Sequence, residues 1–424
     1  MFLKVHLDHR TRQTYRYDAL GNVAGATIAA IVSTFGLVLA KRADAPIWLI
    51  SFGVAGMFVP SLLAWLVPCC CRRLPVGAVI LCFRLLAGLT MLPAIISPSL
   101  ETFLLGYILA LICIGLADYT YPALLQRLYQ PEEQRVCFSF TFALRATLML
   151  LMFLALGPIL DTLSAQHGFR LLGVVCIALA ALSAGATWRF RGVRENEAAA
   201  QCDMPAASPW ANPMFVRYLV ILTVFGIGNA AFNVLWPIMA VNPFGLSNAQ
   251  VGLLQSLSML SQLAAYSWFN RFGKLPRSLQ STAAIFLFYA LPCVVAVGLL
   301  HSDWSQAAKY WTLLVSMVLF NFAAGIWAMY FYLLVNAMAG DGSPLPYHAT
   351  QGVVVGVRGL IIPFACGAIY SRAGLEISLW LTAAFFLAAS VVAVLSGGFT
   401  YNAAQEQRQA ESKVLAMALE RSAE

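Results

Sequence analysis

The chain has 424 residues, of which 61% are hydrophobic and only 10% charged, with a formal net charge of +8. Soluble domains carry about a quarter charged residues, so this composition excludes a water-soluble globular protein and points to lipid as the solvent. The positive balance is not the footprint of a nucleic-acid binder, because the basic residues fall in gaps between apolar runs, and the ten cysteines lie mostly inside those runs or in the expected cytoplasmic loops, which argues against a disulfide framework.

A polar segment, 1–18, carries Lys4, Arg10, Arg12 and Arg16 ahead of the first apolar run. That run is longer than the h-region of a signal peptide, about 7–15 residues, so it is expected to remain as an uncleaved span. A bilayer core takes about 20 apolar residues per helix. Runs of that length fall at 19–40, 46–67, 75–97, 100–123, 136–160, 168–188, 216–240, 248–269, 279–300, 310–336, 350–371 and 375–397. The expectation is an all-α integral membrane protein of twelve transmembrane helices. One long gap, 189–215, reads as a linker between a six-helix half at 19–188 and a second at 216–397, and 398–424 forms a tail. The other gaps are short, which makes successive helices antiparallel neighbours. Two halves joined by one linker is the plan of a repeat-built transporter, with its path between the halves near the bilayer midplane.

Cytoplasmic loops hold an excess of Lys and Arg. With the amino terminus inside, 18 of the 26 basic residues fall on that side and five (Lys41, Arg42, Arg170, Lys309 and Arg372) on the other. Both termini and the linker are therefore expected in the cytoplasm, with the chain in an inner or plasma membrane. The remaining three, Arg84, Arg145 and Arg358, lie inside spans. Arg145 and Arg358 stand at matching depth in the fifth and eleventh spans, which suggests pseudo-symmetry between the halves.

Several segments carry a family resemblance. Asn212-Pro213-Met214-Phe215 opens the second half, Phe244-Gly245-Leu246-Ser247 leads into Gln250-Val251-Gly252, and Asn270-Arg271-Phe272-Gly273-Lys274 follows the eighth span. Pro131 to Arg135 precedes the fifth span, and Gly157-Pro158 lies near its far end. With these segments the chain resembles the major facilitator superfamily over nearly its whole length, and Gly157-Pro158 is similar to a motif of that family's exporters. Two features depart from the pattern. The first-half loop reads Pro68-Cys69-Cys70-Cys71-Arg72-Arg73, without the acidic residue and glycine of the family signature, and Asn270 stands where Asp is usual. No subfamily is assigned. The resemblance implies alternating access between two rocking halves.

Charged residues in a span are costly, roughly 2.5–3.5 kcal/mol on insertion scales, and they pair or bind something charged. Asp118 is the one clear intramembrane carboxylate available to Arg84, Arg145 and Arg358. It is expected either to form a structural ion pair with Arg84 or Arg145 or to serve in coupling. Arg145 and Arg358 are the candidates for gripping an anionic substrate, since guanidinium groups bind carboxylate or phosphate bidentately. Asn229, Asn233 and Trp236 form one stripe on the seventh span, Gln255 and Gln262 lie on the eighth, and Asn321 and Tyr332 on the tenth. In the resembling family the seventh and tenth helices line the central cavity, which makes these residues candidate substrate contacts. Interhelical hydrogen bonding is the competing role. The first-half wall, with Ser33, Tyr119 and small residues, is expected to be the less polar one.

The functional expectation is a secondary transporter of a small solute, leaning to a small organic anion. The alternatives are an exporter of hydrophobic compounds or drugs and a carrier of a sugar-like neutral solute. No nucleophile, metal-ligand or paired-carboxylate motif supports an enzyme. No cofactor, metal or nucleic acid is expected. The partners are the small-molecule substrate, a coupling proton or counter-ion and the lipid bilayer, and the chain is expected to act as a monomer.

Overall fold

The computed structural model describes residues 9–129, 131–193, 208–272, 279–339 and 345–396. The middle of the expected linker, the loop after residue 272 and the tail 398–424 lie outside the described residues. Every regular element among those described is helical.

The first apolar run is a single rod in which α1 (His9–Ile31) passes through a π turn (Val32–Gly36) into α2 (Leu37–Arg42). Such one-turn widenings often mark functional positions. The second run, expected as one continuous span, is instead broken into α3 (Ile47–Gly56), α4 (Val59–Leu63) and α5 (Leu66–Arg73). Pro60 near the start of α4 has no amide to give to the preceding turn, so the ladder stops and restarts there. Then come α6 (Val76–Leu89), α7 (Leu92–Ile96), α8 (Leu100–Leu128), α9 (Pro131–Asp161) and α10 (Ala165–Thr187). A capping box of Ser99 and Thr102 opens α8.

After residue 208 the order is α11 (Pro213–Val241), α12 (Asn248–Phe272), α13 (Ala283–Leu300), α14 (Gln306–Ala339) and α15 (Leu345–Leu395). Asn212 caps α11, its side-chain oxygen accepting from the Met214 and Phe215 amides at 3.1 and 3.3 Å. The last element is two helical runs divided at Gly374, whose φ of 81° and ψ of −179° belong to glycine alone. That break lies in the gap expected between 371 and 375.

Nine segments among the described residues are long and apolar enough to cross a membrane. Large apolar side chains such as Leu105, Leu151, Val220, Val315, Ile361 and Val391 face outward, as lipid requires. Exposed tryptophans stand near helix ends at Trp48, Trp188, Trp210 and Trp304, where interfacial belts form. The earlier helices pack around α1, with α9 and α10 along it and α6 between α8 and α10. The later ones pack around α15, against α11 and α13. An aromatic cluster locks this second group, with Phe225 lying 4.8 Å from Phe286 and Tyr289 and 5.2 Å from Trp327 between ring centroids. The two groups meet along α9 and α12, and along α3, α4 and α15.

Candidate functional site

A cavity of about 700 Å³ lies between the two groups of helices, a size suited to a small organic molecule. Its walls come from α1, α4, α5, α8 and α9 on one side and α12, α14 and α15 on the other. Asp118 and Arg145 are the charged side chains in the lining, together with His348 as a further titratable group. Ser33, on the π turn, faces the same space.

Asp118 is exposed, and what it is exposed to is this cavity. Among the described residues neither Asp118 nor Arg145 is hydrogen-bonded or ion-paired. The Arg145 guanidinium rests 5.8 Å from the Phe142 ring centroid, a cation–π contact that orients it without neutralising it. Phe142 in turn meets Tyr266 across the seam, edge to face at 5.7 Å.

The opposite wall is polar but already satisfied. Gln262 donates to Asn321 at 2.9 Å, Asn321 donates to Ser258 at 3.0 Å and to the Met317 carbonyl at 2.8 Å, and Tyr266 donates to Gln262 at 3.4 Å. Gln351 donates to the Tyr218 hydroxyl at 2.8 Å. Of the uncharged candidates, Gln262 therefore lines the cavity and Asn321 backs it. Contrary to the expected polarity, both charged lining residues come from the earlier helices, where Tyr119 also donates to Ser61 at 2.8 Å.

The other candidates lie elsewhere. Asn229 and Asn233 are partly buried on α11, outside the lining, and Trp236 is buried with its indole N–H unpartnered among the described residues. They are kept from the cavity because α11 leans on α2 and α3. Gln255 is partly buried on α12 and also stands outside the lining. The Tyr332 side chain lies outside the described residues.

Arg358 is buried between α15 and α11 and donates to the Leu222 carbonyl, so the structure does not bring it to the cavity with Arg145. Arg84 is buried in the first group, donating to Thr187 and, at 3.3 Å, to Asn22. It forms no ion pair with Asp118 among the described residues. Both buried arginines are accommodated by glycines on the first long helix of their group. A Cβ at Gly21 would lie 2.7 Å from the Arg84 Nη1, and one at Gly226 would overlap the Arg358 guanidinium. Asp18, which the sequence places at the mouth of the first span, is a buried carboxylate on α1 that accepts from Tyr121 and Tyr129 at 2.8 Å each.

The cavity is shut at one end by an interlock. The Asp161 carboxylate, at the end of α9, accepts from the Asn248 and Ala249 amides at 2.7 and 2.8 Å, capping the N-terminus of α12. Arg42 lies 3.6 Å from the same carboxylate and donates to the Leu246 carbonyl. Below it the α9 and α12 backbones touch: a Cβ at Gly157 would lie 2.6 Å from the Asn248 carbonyl oxygen. Away from this end the lining continues to Val67, Cys71, Tyr266 and His348. Asp161, Gln351 and Ser61 left no pattern in the sequence, because each gains its role from a partner on a distant helix.

No protein-family model matches the sequence, and no curated protein matches it. Solved structures do. The nucleoside transporter NupG is similar with a TM-score of 0.61 at 13% identity, covering 92% of this chain and 100% of its own. A structure describing substrate recognition in proton-dependent oligopeptide transporters gives 0.64 at 12% identity, covering 91% and 96%. The human organic anion transporter MFSD10 (TETRAN) gives 0.60 at 16% identity, covering 90% and 99%. All three are transporters of one superfamily, and at these identities the likeness is one of fold. Together with the apolar helices, it makes the chain a multi-pass integral membrane protein with the major facilitator fold.

Proposed function

We propose that the chain is a secondary active transporter, rather than an enzyme, moving a small organic solute that bears an anionic group by alternating access. The observation that carries this reading is the cavity between the two helix groups, with the Arg145 guanidinium presented to it and no protein anion paired to it among the described residues. Arg145 is only partly exposed, and a cation withdrawn from bulk water with no anion in contact is costly unless water or a ligand meets it. The transport of nucleosides, oligopeptides and organic anions by proteins of this fold is consistent with such a role.

In this reading the chain crosses an inner or plasma membrane twelve times in two six-helix halves. Nine crossings are the long apolar segments. The broken run α3 to α5, the more polar α12 and the division of α15 at Gly374 supply the other three. The distribution of basic residues supports cytoplasmic termini. Arg42 and Asp161 then form an outer interlock, and the cavity faces the cytoplasm. A coupling proton or counter-ion and a monomeric state complete the proposal.

A second reading, export of hydrophobic compounds, is favoured by Met57, Met149, Met259, Phe142 and Phe331 in the lining, since Met and aromatic surfaces adapt to varied apolar ligands. Thermal stabilisation of purified protein by separate panels of organic anions, sugars and lipophilic cations distinguishes the two, because a bound ligand raises stability by mass action. Stabilisation confined to lipophilic cations overturns the anion reading. In proteoliposomes, Arg145→Gln is expected to lower flux of an anion found this way at least about tenfold, the loss of one charge-assisted contact worth about 1.5–3 kcal/mol. Flux unchanged in Arg145→Gln removes Arg145 from the site.

A further inference from the structure

We infer that the transported solute is amphoteric, its anionic group received by Arg145 and a protonated amine received by Asp118. The inference rests on the transporter reading above and names the substrate class of that same cavity.

Three observations carry it. The first is placement. Asp118 on α8 and Arg145 on α9 line one cavity, and neither is hydrogen-bonded or ion-paired among the described residues. Asp118 feels the attraction of both Arg145 and Arg84, but two opposite charges that served only to neutralise each other would be expected to come into contact, where that attraction best offsets their desolvation. Here each presents its charge to the cavity instead.

The second is the state of the other wall. Gln262, Tyr266 and Gln351 are committed to bonds with one another or with Asn321 and Tyr218. His348 is engaged by Gln351. That wall therefore offers a largely apolar face of Met259, Ala324, Ala328 and Phe331 to the body of a solute, and discrimination by charge falls to Asp118 and Arg145.

The third is electrical balance. The two lining charges sum to zero, so a solute of zero net charge with both signs satisfies each without leaving a remainder. A simple monoanion would satisfy Arg145 while stripping water from Asp118 and repelling it, and a simple amine would do the reverse. Leaving one cavity charge dehydrated by the solute yet unmatched is the kind of penalty from which specificity is built.

The test uses full-length protein and matched probes: phenylalanine, 3-phenylpropionate lacking its amine, and phenethylamine lacking its carboxylate. A parallel set of ω-amino acids, monocarboxylates and monoamines of three to six carbons varies the charge separation. Thermal stabilisation and proteoliposome flux are read for wild type, Asp118→Asn, Asp118→Ser and Arg145→Gln. In wild type, stabilisation is expected from amphoteric members only. Asp118→Asn and Asp118→Ser are expected to shift preference at least about tenfold toward the monocarboxylates, and Arg145→Gln toward the monoamines. Wild type stabilised as well by a monocarboxylate as by its amphoteric match overturns the inference, as does a preference unmoved by either Asp118 variant. If no amphoteric probe binds, the inference is rejected. Flux of an anion or lipophilic solute in the same vesicles then preserves the transporter reading, and absence of all flux rejects both.

Discussion

Asp161→Ala is expected to open the closed end of the protein and to shift its resting conformation by roughly a few hundredfold. The carboxylate accepts two backbone amides of α12 at 2.7 and 2.8 Å. Hydrogen bonds to a charged group contribute about 1.5–3 kcal/mol each, and the low end applies because the side chain is 27% exposed. Position at a helix N-terminus adds about 0.5 kcal/mol. The sum, about 3.5 kcal/mol, corresponds to roughly two and a half decades in a conformational ratio. Arg42 contributes less, because a partly exposed ion pair at 3.6 Å gives at most about 1 kcal/mol, to which its bond to the Leu246 carbonyl adds a similar amount. Arg42→Ala is thus expected to shift the same ratio about tenfold or somewhat more. Spin labels at Gln166 and Asn242, both exposed and on opposite sides of the seam, report the change in a cysteine-free background. A longer-distance population that grows in the order wild type, Arg42→Ala, Asp161→Ala is the expected result. Equal effects of the two variants would remove the helix-capping role from Asp161.

The α9–α12 seam also explains why only part of the site could be read from sequence. Composition and run length fix the solvent and most of the helices, because burial in lipid is a property of each segment by itself. They overestimate the continuity of 46–67, where Pro60 interrupts the ladder. Intramembrane charge singled out Asp118 and Arg145, which do face the cavity, for the reason that charge at membrane depth needs water or a partner. The same rule could not separate them from Arg84 and Arg358, which are met by Thr187 and Asn22 and by the Leu222 carbonyl. Neutral acceptors of this kind leave no charge signature. Periodicity placed Asn229, Asn233 and Trp236 on one stripe, but it could not reveal that α11 leans on α2 and α3. Asp161 lies just past the expected fifth span, 136–160, and its partners, two backbone amides, are invisible in any sequence.

Gly226→Ala is expected to cost about 3–5 kcal/mol of stability, the penalty of leaving a buried charge without its partner. Helical side chains lean toward the N-terminus and cover the turn before their own Cα, so a side chain at position 226 would cover the Leu222 carbonyl. Because that residue is glycine, the carbonyl is free to accept from Arg358 as well as from its own helix. A methyl group there would overlap the guanidinium carbon and both terminal nitrogens. Arg358 Nε already lacks a partner among the described residues, so the displaced group has little to fall back on. The charge itself, however, is not needed for packing: replacement of a buried ion by an apolar group of similar length is often neutral. Arg358→Met is therefore expected to melt near wild type, Gly226→Ala well below it, and the double variant to recover most of the loss. The two changes are thus strongly non-additive, as contacting residues are. Melting of the four proteins in detergent measures the cycle. If Arg358→Met does not rescue Gly226→Ala, the glycine is required for the α11 backbone itself rather than for the arginine. If Arg358→Met instead folds normally but abolishes flux of a solute that binds wild type, Arg358 acts in transport from outside the cavity, in the movement of α15 against α11.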